Sequence, residues 1–363
     1  MSPLETEIRR RIAAAGPMPV GEYMALCLSD PAHGYYVTRD PLGAKGDFTT
    51  APEVSQMFGE LIGLWAVAVW RQMGMPQQLR MIELGPGRGT LLKDALRAAR
   101  LAPDFLGAAA LHLVEISPAL EAVQQQTLAE LDVPKLWHKA LAEVPPGPSI
   151  IVANEFFDAL PINQAVKQNG GWHARCVAIG ENDQFAYTLS PEPLRGFERT
   201  VPAQLRAAQN GEVFEWRSDI EAMELGRRVA HERSAALVID YGHTESSAGE
   251  TLQAVHKHQF ADPLTLPGEA DLTAHVDFQQ LGRAAESMGV HVHGPLEQAG
   301  FLNRLGIQTR AQSLKANLPS AQAHEIDQAL ARLTGIGRTG MGTLFKAMAL
   351  THRDLPAPPG FEH

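Results

Sequence analysis

The chain has 363 residues, of which 45% are apolar and 20% charged, and a formal net charge of −10. That length buries a large core, as one elaborated domain or as two. The acidic balance excludes non-specific nucleic-acid binding, which relies on a basic surface, and two cysteines, Cys27 and Cys176, exclude a secreted disulfide framework.

Residues Leu4 to Ala15 read as a short amphipathic helix whose Arg9-Arg10-Arg11 form a solvated face. Glu5 and Glu7 interrupt the start and no apolar h-region follows, so a cytoplasmic protein is expected. Pro17 and Pro19 break the helix, and Val20 to Leu28 read as a second one. Asp30 to Asp47, rich in glycine, proline and tyrosine, reads as loop or hairpin. Thr50 to Glu53 reads as a capping box opening a helix that runs to about Gly74. Its apolar run Leu61 to Trp70 is too short for a bilayer of ~30 Å, so no membrane insertion is expected.

Strands are expected near 79–84, 110–115, 135–139, 149–154 and 235–240, with two more near 290–294 and 342–350, the last closing the sheet. This is an α/β pattern, a Rossmann-like sheet with an N-terminal helical extension and inserted segments. Gln164 to Leu189 alternates as a β-hairpin does. The expected partition is an extension with a covering loop over 1–77, a core over 78–162 and 232–353, an insertion over 163–231 shaping the substrate cleft, and a mobile proline-rich tail over 354–363.

The first expected strand ends in Glu83-Leu84-Gly85-Pro86-Gly87-Arg88-Gly89-Thr90, and a helix begins at Thr90. A strand turning into a helix under glycines is a nucleotide-binding turn. The dinucleotide fingerprint wants glycine where Thr90 stands, and Glu83 would repel a pyrophosphate. A nicotinamide oxidoreductase is therefore disfavoured. S-adenosylmethionine has no phosphate and carries two cationic groups, which suits an acid beside the turn. Gly85, Gly87 and Gly89 would let the backbone approach it. Glu115, at the end of the second strand, can accept both ribose hydroxyls, or it can be a charge before the helix opened by Ser117-Pro118. The fourth strand delivers Asn154 and Glu155 to the same edge, with Phe156, Phe157 and Asp158 after them.

The sequence resembles the MidA-like family of S-adenosylmethionine-dependent methyltransferases, whose mitochondrial members assist respiratory complex I assembly by methylating an arginine. The resemblance rests on Gly46 to Ser55, Glu83 to Thr90, Asn154 to Pro161 and Pro267 to Phe278, and it spans nearly the whole chain. The chain departs from the family at Leu252-Gln253-Ala254-Val255-His256, where Leu-Arg-Cys-Tyr-Arg is expected. The resemblance implies a protein acceptor, a complex I subunit among the candidates, and methyl transfer itself needs no metal. It implies a cofactor roof from Asp47, Thr49 and Thr50. Asn154, Glu155 and Asp158 are the candidates to hold a guanidinium, whose pKa above ~12 calls for carboxylates. Amide-nitrogen methyltransferases often end this strand in Asn-Pro-Pro-aromatic, and here position 155 is a carboxylate instead. A helix cap is the plainer role for Asp158. Asp271 and His275 are candidate acceptor contacts. With His256, His258 and Asp277 they match no compact zinc spacing. The alternative from another class is a non-catalytic assembly chaperone, for which the glycines, Glu83 and Glu115 would be superfluous.

Overall fold

The computed structural model describes residues 1–38, 50–337 and 340–362. The chain forms two units. One comprises Met1–Phe48, Asp158–Ser218 and Glu245–Asp277, and the other Thr49–Phe157, Asp219–Thr244 and Phe278–His363. The boundaries differ from the expected partition. Helix Gln56–Gln72 belongs with the central sheet, as does helix Ile220–His231, and residues 245–277 belong with the N-terminal segment.

The larger unit is built on strands Leu79–Leu84, Ala109–Val114, Lys135–His138, Ser149–Asn154, Ala235–His243, His291–Glu297 and Phe345–Thr351. Their spatial order is 291–297, 345–351, 235–243, 149–154, 79–84, 109–114, 135–138. The five strands from 235–243 to 135–138 are parallel, and 345–351 runs antiparallel to both its neighbours. Strand 149–154 is buried along its whole length, as a strand covered on both faces must be. The last strand does not close the sheet as expected. It lies inside, and 291–297 takes the edge. From 79–84 the chain adds strands in one direction and from 149–154 in the other. The gap between these two strands is the topological switch point, where open α/β sheets bind ligands.

Helix Gln56–Gln72 lies against helix Thr90–Ala99 at backbone distance. A Cβ added at Gly63 would fall 2.2 Å from the Ala95 carbonyl oxygen, so only glycine fits. The single helix expected from Thr50 is two. Ser55 takes extended backbone between Ala51–Val54 and Gln56–Gln72, and its Oγ accepts from Met57 N. Thr50 makes no side-chain cap bond, and the Glu53 carboxylate accepts from the Thr90 hydroxyl at 2.5 Å.

The tail is docked, against expectation. Trp65 Nε1 donates to Pro359 O, Gln72 Nε2 to Ala357 O and Arg304 Nη1 to Gly360 O. Phe361 is buried and its ring meets Phe301 at 5.2 Å. Prolines remove donors but leave carbonyls to accept, and two apolar side chains, Leu355 and Phe361, supply the burial. Phe361→Ala should destabilise the protein by about 3 kcal/mol, the scale of a buried phenylalanine truncation. Denaturant titration measures it, and a change below about 0.5 kcal/mol would mean the tail is not docked in solution.

In the smaller unit, Ser2 caps helix Pro3–Ala15 by accepting from Glu5 N at 3.1 Å. Leu4 and Ile8 of that helix share a core with Tyr23, Cys27, Ile162 and Leu272. The expected hairpin is a meander, Ile162–Gln168, Gly171–Ile179 and Phe185–Leu189, with Val213–Arg217 paired beside 162–168. Cys27 and Cys176 are free thiols, both buried, and burial pushes the Cys27 thiol up to about 12. Among the described residues no helix is long and apolar enough to cross a membrane.

Candidate functional site

Three adjacent parallel strands end together at the switch point. Leu84 pairs with Val114 on one side and Ala153 on the other, so Glu83, Glu115 and Asn154 end neighbouring strands. Gly85, Gly87 and Gly89 follow with φ of 60°, 53° and 82°, the left-handed region that favours glycine. A Cβ at Gly85 would also press the Phe156 ring at 3.1 Å.

Glu83 is 3% exposed, and its Oε2 has no hydrogen-bond partner among the described residues. Burial, and then the charge of Glu115, push its carboxyl up to about 8. A buried carboxyl oxygen left without a partner costs free energy that a ligand cation would offset. Asn154 Oδ1 is likewise buried without a partner among the described residues. Glu115 is anchored. Its Oε1 accepts from Ser117 N at 2.8 Å and its Oε2 from Gln124 Nε2 at 3.0 Å. Burial raises its pKa, opposed by the bonds from Ser117 and Gln124. Each oxygen keeps acceptor capacity for one more donor. Ser117 itself caps helix Pro118–Thr127 through Leu120 N, so Glu115 is not needed as the cap.

Glu155 is a half-buried non-glycine residue at φ 50°. Its N donates to Ile239 O at 2.9 Å and its Oε1 accepts from Ala51 N at 3.1 Å. Left-handed backbone costs such a residue ~1–2 kcal/mol, a strain that often marks functional positions. Thr50 precedes Ala51 and is half-buried. Asp47 and Thr49, the other expected roof residues, lie outside the described residues.

Asp158, Asp271 and His275 belong to the smaller unit. No helix follows Asp158, so it caps none. Strand Ile162–Gln168 comes next, and the Asp158 carbonyl accepts from Ala274 N and Arg217 Nη2. Arg217 Nη1 also donates to His275 O at 2.7 Å, so one guanidinium gathers these two segments. Asp271 is buried and accepts from the Tyr36 hydroxyl at 2.9 Å. His256 Nδ1 sits 3.0 Å from Glu269 O. Among the described residues no group of three His, Cys, Asp or Glu could hold a metal.

Two buried residues escaped the sequence reading. Asp240 Oδ2 accepts from Phe157 N at 3.0 Å and its Oδ1 from Tyr241 N, fixing the turn after Asn154. It is an acid beyond an apolar run, the same signal that marked Glu83 and Glu115. Gln124, joined to Gly87 O as well as to Glu115, gave no signal at all.

Residues 61–296 match a family model described as "Putative S-adenosyl-L-methionine-dependent methyltransferase". The chain belongs to this family. It is 36% identical to the Drosophila melanogaster mitochondrial homolog of protein arginine methyltransferase NDUFAF7, covering 96% of this chain and 84% of that protein. Against the mitochondrial Rattus norvegicus protein arginine methyltransferase NDUFAF7 the identity is 38%, covering 89% of this chain and 79% of that one. A Burkholderia thailandensis protein crystallised with S-adenosyl-homocysteine superposes with a TM-score of 0.84 at 27% identity, covering 98% of this chain and 93% of that one. The chain is thus an S-adenosylmethionine-dependent methyltransferase on a Rossmann-like sheet, and the expected cofactor holds. The cytoplasmic expectation does not, since the fly and rat relatives are mitochondrial.

Proposed function

We propose that this methyltransferase acts on an arginine side chain of a protein acceptor, with Glu155 receiving the guanidinium. The observation that carries the reading is Glu155 itself, a carboxylate held in strained backbone at the end of the switch-point strand. The relatives named protein arginine methyltransferases support the acceptor class. When bound, the cofactor supplies an electrophilic methyl group. Glu83 and Asn154 would take its cationic amino-acid end, and Glu115 its ribose hydroxyls. Glu155 accepts guanidinium N–H groups, aims one nitrogen along the line of displacement and takes the proton that this nitrogen sheds as it gains the methyl group. Incubation of the protein with labelled cofactor and lysate tests this. Label on an arginine, with a complex I subunit the first protein to inspect by mass spectrometry, is the expected result. Label on lysine, histidine or a small molecule overturns the arginine reading.

A pH dependence follows from Glu83. Its carboxyl is protonated below about 8 in the cofactor-free protein, against 4.5 as the ordinary value. Its contribution to stability is full below the ordinary value and is lost as pH rises through about 8. A cation bound beside it ionises it, so binding at pH 7 releases close to one proton. Cofactor affinity should rise with pH and level off above about 8. Calorimetry in buffers of different ionisation enthalpy counts the proton, and a count of zero rejects Glu83 as the cation's partner.

A further inference from the structure

We propose that Gln124 is the positioning residue that holds Glu115 and the glycine turn in the geometry the cofactor's ribose requires. Gln124 is fully buried two turns into helix Pro118–Thr127. Its Oε1 accepts from the Trp137 indole Nε1 at 2.9 Å. An indole can only donate, so the glutamine oxygen must face Trp137 and the amide NH2 must face the other way. There the NH2 reaches two acceptors, Glu115 Oε2 at 3.0 Å and the Gly87 carbonyl at 2.7 Å. One side chain therefore joins the acid at the end of strand Ala109–Val114 to the middle of the turn after Leu79–Leu84. Trp137 lies on edge strand Lys135–His138 and fixes that amide's orientation from behind.

Ser117 N and Gln124 Nε2 grip the two oxygens of Glu115 separately, which sets the plane of its carboxylate. With Ser117 alone the carboxylate could turn about its own axis. A pair of vicinal ribose hydroxyls needs both oxygens in one plane, as bidentate contacts do. Both hydrogens of this buried amide are committed to the cradle, whereas the remaining glutamines of the helix are exposed. The role touches no ligand atom, so Gln124 acts through Glu115 and Gly87.

The inference rests on Glu115 as the ribose carboxylate, and the test separates the two. Calorimetry gives the dissociation constants of S-adenosyl-homocysteine and of its 2′,3′-dideoxy analogue, and their ratio is the ribose discrimination. The native protein should discriminate by about 10²-fold, the scale of two hydrogen bonds to a charged group. Gln124→Met keeps the volume and removes the amide. It should cut the discrimination about tenfold while moving the dideoxy constant by less than about threefold. Combined with Glu115→Ala it should add nothing further, as coupled residues do. If both ligands weaken equally and the discrimination stays, Gln124 only packs and the proposal is overturned. If Glu115→Ala alone keeps the discrimination, the ribose reading falls and the proposal with it. Should Gln124→Met not fold, Trp137→Phe decides. It removes the indole N–H together with the pyrrole part of the ring. It should lower the discrimination by about threefold, the dideoxy constant reporting the lost packing, and an unchanged ratio overturns the proposal.

Discussion

Glu155→Gln is expected to lower methyl transfer by about 10²-fold and to leave cofactor affinity within about threefold. The substitution is selective for a structural reason. The bond that Ala51 N donates to Glu155 Oε1 survives, because the glutamine oxygen accepts as well. The left-handed turn survives too, since the backbone bond to Ile239 and the Asp240 clamp on Phe157 N do not involve this side chain. What disappears is the charge. A guanidinium facing an amide loses a charge-assisted bond and meets NH2 hydrogens where it met an oxygen. Steady-state methylation of the identified acceptor, with a calorimetric titration of the cofactor, reads both quantities. A variant with native turnover removes Glu155 from the acceptor site. A variant whose cofactor affinity falls as steeply as its turnover moves Glu155 into the cofactor cradle.

Glu83→Gln should weaken cofactor binding by about 10²-fold, or ~2.7 kcal/mol, within the range of a hydrogen-bonded charge. The same variant should be no less stable than the native protein. At pH 7 the cofactor-free Glu83 is already neutral, and glutamine matches a protonated acid in shape. Above pH 8 the variant should melt higher, because the native carboxylate must then ionise in a buried place. Thermal melts at pH 7 and 9, with and without cofactor, show both effects. Loss of stability in the cofactor-free variant at pH 7 would mean that Glu83 supports the fold, not the ligand.

The centre of the sheet was legible in the sequence because its strands are covered on both faces and therefore appear as apolar runs, as in Ser149 to Ala153. The switch-point acids were legible for the same reason, since each follows such a run. Pairing order was not. Nothing local in Phe345 to Thr351 distinguishes an interior strand from an edge, because the partners lie far away in sequence. Gln124 and Arg217 were invisible because their meaning lies in acceptors on other elements. The tail misled because proline content describes chain stiffness, while docking depends on the few apolar residues between the prolines. Thr50 misled in the opposite sense. The local capping pattern was complete, yet the Glu53 carboxylate accepts from a distant hydroxyl, that of Thr90.

The interior place of strand Phe345–Thr351 has a consequence for synthesis. The strand is synthesised after Ala235–His243 and Ser149–Asn154, which pair with each other on the other side of Ala235–His243. Until then Ala235–His243 offers an open row of N–H and C=O groups carried on an apolar segment, the surface on which chains join edge to edge. Before Phe345–Thr351 is in place, the nascent protein is thus its own aggregation hazard. Chains truncated before Phe345 should accumulate in inclusion bodies or on holdases, even though Glu83, Glu115 and Glu155 are all present in them.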